Sequence, residues 1–230
     1  MTISYRLDGA VAVVTIDDGK ANALTHDALD ELGEALDRAE REAGAVALLG
    51  RPGRFCAGFD LNVMTRDTES MQALVIHGAT TLLRLFTFPR AVVAGCTGHA
   101  LAGGAMLLLC ADHRIGAAGE FKIGLNEVAI GMALPVFGVE LARYRTPPST
   151  FDSVVLGHIF DPSGAVAAGF LDEIDAPEAV EEATIAAAAR YSTLAFGAVA
   201  RTKQMARGAA ARLIGDTLAD DIAALAVPER

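Results

Sequence analysis

The sequence predicts an α/β fold closed by a C-terminal helical region, on three observations. Short apolar runs of strand length recur, with one-faced helical repeats between them, from the start of the chain to about residue 116. A glycine-rich stretch, Thr97-Gly98-His99-Ala100-Leu101-Ala102-Gly103-Gly104-Ala105-Met106, joins a strand-like run to a helix-like one. From Asp175 onward the composition turns to alanine-rich helical sequence.

Each element follows from local pattern. Residues 3–7 and 11–16 flank Asp8-Gly9, a dipeptide suited to a tight hairpin turn. Asp17-Asp18-Gly19-Lys20 is a loop, and Thr25 caps a helix whose Leu29, Leu32 and Leu36 fall at helical spacing. Residues 45–49 form a buried strand, 50–54 a loop, and Asp60 caps a short helix. Over 68–87, Met71, Leu74, Val75, Gly78, Leu82, Leu85 and Phe86 make a one-faced helix. Residues 91–94 are the next strand, a buried helix follows Gly103, and 112–116 is another strand. Helices are expected over 135–145 and 149–157, separated at Pro147-Pro148. Asp175-Ala176-Pro177-Glu178 reads as a capped helix start, with breaks near Ser192 and Gly208. The small apolar residues beyond suit helices packed either on a neighbouring subunit or on their own chain.

Composition narrows the function. At 230 residues, 52% hydrophobic and 21% charged, the chain can bury a sizeable core. A formal charge of −10 argues against nucleic-acid and anionic-membrane binding, so any anionic ligand must be held by local groups. No apolar stretch approaches the roughly 20 residues a bilayer requires. No signal-peptide pattern stands at the N-terminus, and Cys56, Cys96 and Cys110 lack Cys-x-x-Cys spacing, which fits a cytoplasmic protein with free thiols. The five histidines show no metal-ligand clustering, and no metal is expected.

The glycine-rich stretch carries the chemistry. At a strand-to-helix junction the first amides of the helix are unpaired and the helix dipole favours negative charge. Gly98-x-x-x-x-Gly103 is only the front half of a phosphate loop, because Gly104-Ala105 stands where Lys and Ser or Thr are required. Neither a Gly-x-Ser-x-Gly nucleophile elbow nor a His-Glu-x-x-His zinc helix occurs.

Several segments in order resemble the crotonase family, also called the enoyl-CoA hydratase/isomerase superfamily. Asn22-Ala23-Leu24, Phe55-Cys56-Ala57-Gly58-Phe59-Asp60-Leu61 and Gly98-His99-Ala100-Leu101-Ala102-Gly103-Gly104 match three of its segments, with Ala102 in the first of three glycine places. Cys110-Ala111-Asp112-His113-Arg114-Ile115, Gly169-Phe170-Leu171-Asp172-Glu173 and Thr202-Lys203 match three more. The resemblance covers nearly the whole chain. It implies a β-β-α spiral over about 1–175 that binds acyl-CoA, and an oligomerisation region of helices over 176–230, building a homotrimer or a dimer of trimers. It further implies that the amides of Ala57 and Gly103 form an oxyanion hole for the thioester oxygen. Fixed main-chain donors of that kind are each worth about 2.7–4 kcal/mol to a developing oxyanion.

The resemblance also implies specific roles elsewhere. A family hydratase holds water between two glutamates; the second place is Glu127, but the first is Met106, which can neither take a proton nor orient water. Gly124-Leu125-Asn126-Glu127 is similar to the segment of single-glutamate Δ3,Δ2-enoyl-CoA isomerases. Glu127 is therefore the expected proton shuttle, its pKa raised by apolar neighbours such as Val128, Ile130 and Met132. Ala23, Gly58, Phe59, Asp60 and His99 are expected at the substrate, with Lys20, Arg54 and Lys203 as candidates for the coenzyme A phosphates. No cofactor is expected, since coenzyme A is part of the substrate. Two other readings stand beside this one. The first is a hydratase or other crotonase-type lyase in which His99 or a water network replaces the missing acid. The second is a non-catalytic acyl-CoA binding protein.

Overall fold

The computed structural model describes residues 2–227. The chain opens with the hairpin β1 (Ile3–Asp8) and β2 (Val11–Ile16), paired antiparallel across the Gly9-Ala10 turn. After β3 (Ala23–Leu24), α1 (His26–Glu42) starts where Thr25 accepts the Ala28 N–H, as its sequence predicts. A unit then repeats, in which one strand joins a large sheet and the next joins a small one. The first copy is β4 (Ala45–Gly50) and β5 (Gly53–Cys56), followed by β6 (Gly58–Phe59), α2 (Leu61–Met64) and α3 (Thr68–Thr87). The second is β7 (Ala91–Cys96), β8 (Gly98–Leu101) and α4 (Gly103–Cys110). The third is β9 (His113–Ala117) and β10 (Ile123–Gly124), leading to a 3-10 turn at Val128–Ile130 and to α5 (Val136–Arg145). Then come α6 (Pro148–Val155), α7 (Pro162–Ala167), β11 (Glu173–Asp175), α8 (Val180–Ser192) and α9 (Phe196–Ala223).

The large sheet has the order β1-β2-β4-β7-β9-β11, parallel throughout except for the hairpin. The small sheet is β10-β8-β5, and β3 pairs with β6. Strands β4 and β7 are buried at every position, which is why their sequences are continuous apolar runs and not alternating ones. One face of the large sheet carries Val11, Val13, Ala45, Ala47 and Val93 against Ala187 and Ala188 of α8. The opposite face meets the main core, to which α1, α3, α4 and α9 all contribute. Helix α4 is buried at all eight positions, so it shows no polar face. The inner faces of α8 and α9 thus pack on their own chain, one of the two arrangements that their small residues allow.

The structure corrects three expectations and adds several short elements. Asp175 does not cap a helix; parallel pairing with β9 draws residues 173–175 into the sheet edge, and α8 begins only at Val180. Ser192 does end a helix, but Gly208 does not break α9, which runs unbroken through 28 residues. A helical glycine costs about 1 kcal/mol, less than the packing of α9 along α3 and α5 returns. Residues 53–54, expected in a loop, already belong to β5, because β8 supplies a hydrogen-bonding edge. Helix α7, capped by Asp161 at the Gly164 N–H, and strand β11 carry too little pattern to be seen in sequence.

A buried ion cluster ties α9 to the core. Asp112 accepts from Lys203 Nζ at 2.7 Å and from Arg207 Nη2 at 2.6 Å, and its Oδ2 also takes the Val92 N–H at 2.7 Å. Burial pulls the Lys203 pKa down to about 8 despite this carboxylate. Lys203, a candidate for the coenzyme A phosphates by sequence, is therefore a structural cation and is not presented to a ligand.

Candidate active site

The site forms where β6, the start of α4 and the 3-10 turn meet. A cavity of about 270 Å³ lies there, with Ala57, Phe59, Ala102, Met106, Asn126 and Glu127 in its wall. Elsewhere its lining is apolar, with Met64, Val75, Met132, Phe137 and Leu225 among the contributors. Two loops far apart in sequence are thus brought to one pocket, together with the predicted glutamate.

Glu127 caps the 3-10 turn through its backbone, its carbonyl accepting from Ile130 and Met132. This frees its side chain to enter the cavity. The residue is 7% exposed, and Oε2 finds no hydrogen-bond partner among the described residues. Desolvation raises its pKa from 4.5 to about 7. Ile130 and Met132 line its cavity and Val128 does not, while Val128 and Ile130 are 44% and 46% exposed. Asn126 adds a second buried, unpartnered oxygen, Oδ1, in the same wall. Its neighbour Met106 is 1% exposed and has no proton to exchange.

The start of α4 reaches the cavity through Ala102 and Met106. Its cap, Ala102, offers no side-chain acceptor, and the first amide to find a carbonyl one turn back is that of Met106, bonded to Ala102 at 3.0 Å. The amides of Gly103, Gly104 and Ala105 precede the helical ladder. Gly58 allows the closest approach. Its φ of +90° suits glycine, and a Cβ there would stand 2.9 Å from Ala102 Cβ and 3.1 Å from Gly103 N. Ala102 itself sits at φ +49°, ψ −126°, a conformation that L residues rarely adopt.

The second expected donor needs correction. The Ala57 N–H is committed to the Ala21 carbonyl at 3.1 Å, so Ala57 lines the cavity without offering its amide. Three residues on, Asp60 N–H donates to Leu24 O at 3.2 Å along the β3–β6 pairing. Phe59, between the two, stands in the cavity wall. Its ring packs on Gly78 of α3, where a Cβ would lie 2.1 Å from Phe59 Cε1.

The remaining expected residues divide. Ala23 pairs with Gly58 in the strand beside the pocket. Asp60 spends its carboxylate as the cap of α2, accepting from Asn62 N at 2.9 Å. His99 lies outside the cavity wall, with Nδ1 accepting the Lys122 N–H at 2.9 Å and its ring edge on Phe121. Burial, then Arg54 and Lys122, lower its pKa, so it is placed neither to hold water in the pocket nor to act as a strong acid. Lys20 and Arg54 are exposed. Arg51 donates to the Lys20 carbonyl beside Asp17, and Arg54 stands opposite His99 in the β5–β8 register; neither Lys20 nor Arg54 is in the cavity wall. Among the described residues no group of three His, Cys, Asp or Glu side chains is placed to hold a metal ion, and no helix is long and apolar enough to cross a membrane.

Sequence reasoning missed Met64, Asn126 and Leu225 as cavity residues. For Leu225 a signal existed, since Ile214, Leu218, Ile222 and Leu225 follow one another at helical spacing. Chemically, the pocket combines a carboxyl group that titrates near neutrality with unpaired amides at a helix start. Such a pair can move a proton beside a carbonyl whose oxygen the amides hold.

Comparison with known proteins agrees with this geometry. The family model described as enoyl-CoA hydratase/isomerase matches residues 6–222. A crystal structure of an enoyl-CoA hydratase/isomerase family protein from Pseudomonas syringae is 41% identical and superposes with a TM-score of 0.94, covering 97% of this chain and 98% of that one. A probable enoyl-CoA hydratase of Bacillus subtilis is 32% identical over 81% of this chain and 74% of its own length. The human mitochondrial enoyl-CoA delta isomerase 1 is 30% identical over 91% of this chain and 72% of its own. An α/β spiral, a pocket between its β6 and α4 segments and a match over nearly the full length place the chain in the enoyl-CoA hydratase/isomerase family.

Proposed function

We propose that this chain is an enoyl-CoA isomerase that moves a double bond from the 3- to the 2-position of an acyl-CoA thioester. The observation that carries this reading is Glu127, a buried carboxyl with one unpartnered oxygen in an apolar cavity where Met106 stands in place of a second acid. Ionised Glu127 takes a proton from C2 of the 3-enoyl thioester. The charge spreads over C2, C4 and the thioester oxygen. The same carboxylic acid then returns the proton to C4, leaving the 2-enoyl product and an ionised Glu127. The amides at the start of α4, that of Gly103 first, hold the oxygen while it carries charge. Lys20 and Arg54, exposed outside the cavity wall, are the cations proposed for the coenzyme A phosphates. The division into an acyl-CoA-binding core over 1–175 and an oligomerisation region over 176–230, assembling as a trimer or a dimer of trimers, belongs to the same proposal.

One observation favours a second reading. Asn126 Oδ1, unpartnered in the same wall as Glu127, supplies a further acceptor for a water molecule, as hydration of a 2-enoyl thioester requires. Parallel assays on 3-enoyl- and 2-enoyl-CoA separate the two. Double-bond migration lost in Glu127→Gln, with acyl-CoA binding retained, supports the isomerase; water addition by the wild type with no migration overturns it.

A further inference from the structure

The end of α9 forms part of the pocket in a way that the proton chemistry does not use. Ile214 and Ile222 are 2% and 0% exposed on the inner face of the helix, and Leu218 packs beside them on the main core. That stripe continues past the last helical residue, Ala223, to Leu225, which enters the cavity wall. Leaving a helix frees carbonyl groups that need donors. Gln72 of α3 supplies them, its Nε2 donating to Leu225 O at 2.9 Å and to Ala223 O at 3.3 Å. On the other side, Asp221 Oδ2 accepts the Val136 N–H at 2.7 Å and so caps α5, whose Pro135 offers no side-chain acceptor. The segment is thus held by α3 and by α5, and each of these helices contributes its own wall residue, Val75 and Phe137.

We propose that Leu225, held in place by the Gln72 amide, is the residue that limits the length of acyl chain the cavity accepts. This rests on the acyl-CoA reading above. The wall around Leu225 is hydrocarbon, so its occupant is the unsubstituted tail and not the thioester. Leu225 acts by bulk. Gln72 acts through Leu225, as a positioning residue, because its hydrogen bonds end on main-chain carbonyls and its own side chain is not in the wall. A leucine side chain at the end of a hydrophobic pocket discriminates among chains differing by a few methylenes, each worth roughly tenfold or more.

The test is calorimetric titration of saturated acyl-CoAs of short, medium and long chain into the full-length protein, which needs no turnover. Leu225→Ala is expected to raise the long-to-short affinity ratio about tenfold. Leu225→Phe should lower it. Gln72→Ala should shift the ratio in the same direction as Leu225→Ala. Gln72→Glu keeps the bulk but lacks the donor, so it should behave as Gln72→Ala; a wild-type ratio in Gln72→Glu would overturn the clasp. An unchanged ratio in both Leu225 variants, in samples that unfold cooperatively, would overturn the proposal. Wild-type protein that binds no acyl-CoA of any length would instead remove the reading beneath it.

Discussion

Gly58 and Gly103 meet through their backbones, with room for nothing between the Gly58 α-carbon and the first amide of α4. A Cβ on Gly58 would lie 3.1 Å from Gly103 N and 2.9 Å from both Leu101 O and Ala102 Cβ. The contact joins two loops that sequence separates by more than forty residues, and it aims the start of α4 into the pocket.

Gly58→Ala should therefore be severe. It combines a positive φ with a three-way clash, and a loss on the order of 3 kcal/mol or more is expected. Thermal unfolding measures the stability, and kcat/KM should fall further than unfolding accounts for, because the amides are displaced. Full activity in the folded variant would contradict the close approach.

Ala102→Gly should stabilise the protein. The strain of a non-glycine residue at φ +49° is worth about 1–3 kcal/mol, against about 0.5–1 kcal/mol of added chain entropy. A net gain of about 1 kcal/mol should appear as a higher denaturant midpoint with an unchanged slope.

Glu127 predicts two opposite pH effects. As a base it must be ionised, so kcat/KM for isomerisation should rise as pH passes about 7. For stability the sign reverses. A carboxyl raised from 4.5 to about 7 binds more protons folded than unfolded, so its contribution is complete below pH 4.5 and is lost as pH rises through 7. Glu127→Gln should abolish turnover and gain on the wild type above pH 7, by an amount on the order of 3 kcal/mol. Denaturant titrations at pH 5 and pH 8 check this, and equal wild-type stability at the two pH values, once Glu127→Gln is subtracted, would refute it.

Removing Asp112 should unfold much of the core. Lys203 and Arg207 would be left as buried cations without their carboxylate, a cost of about 3–5 kcal/mol. Asp112→Ala is expected to lower the melting temperature sharply. Lys203→Met should cost less, because the aliphatic stem is kept and Arg207 still pairs with Asp112. Acyl-CoA affinity of folded Lys203→Met should match the wild type, since Lys203 does not face a ligand.

Much of this molecule is readable from residue order alone. Periodic leucines mark α1, the uninterrupted apolar runs mark β4 and β7, and Thr25 and Asp60 stand before helices as caps. These features rest on interactions within a few residues, or on the all-round burial that an apolar run announces. Glu127 was singled out differently, by the resemblance of its segment and of the two glycine-bearing segments to the enoyl-CoA hydratase/isomerase family.

Other features came only with the tertiary structure. Which amides around β6 are committed depends on the neighbouring β3 segment, which takes the Ala57 N–H on Ala21 and the Asp60 N–H on Leu24. Lys203 looks like any surface cation until α9 lays it against Asp112. His99 stands in the same glycine-rich stretch as the site, yet the β8 neighbours take its ring elsewhere. The strands and helices are local or periodic properties and so were written in residue order. The orientation of amides, the pairing of buried charges and the wall that Leu225 completes arise between segments distant in the chain, and only packing brings those together.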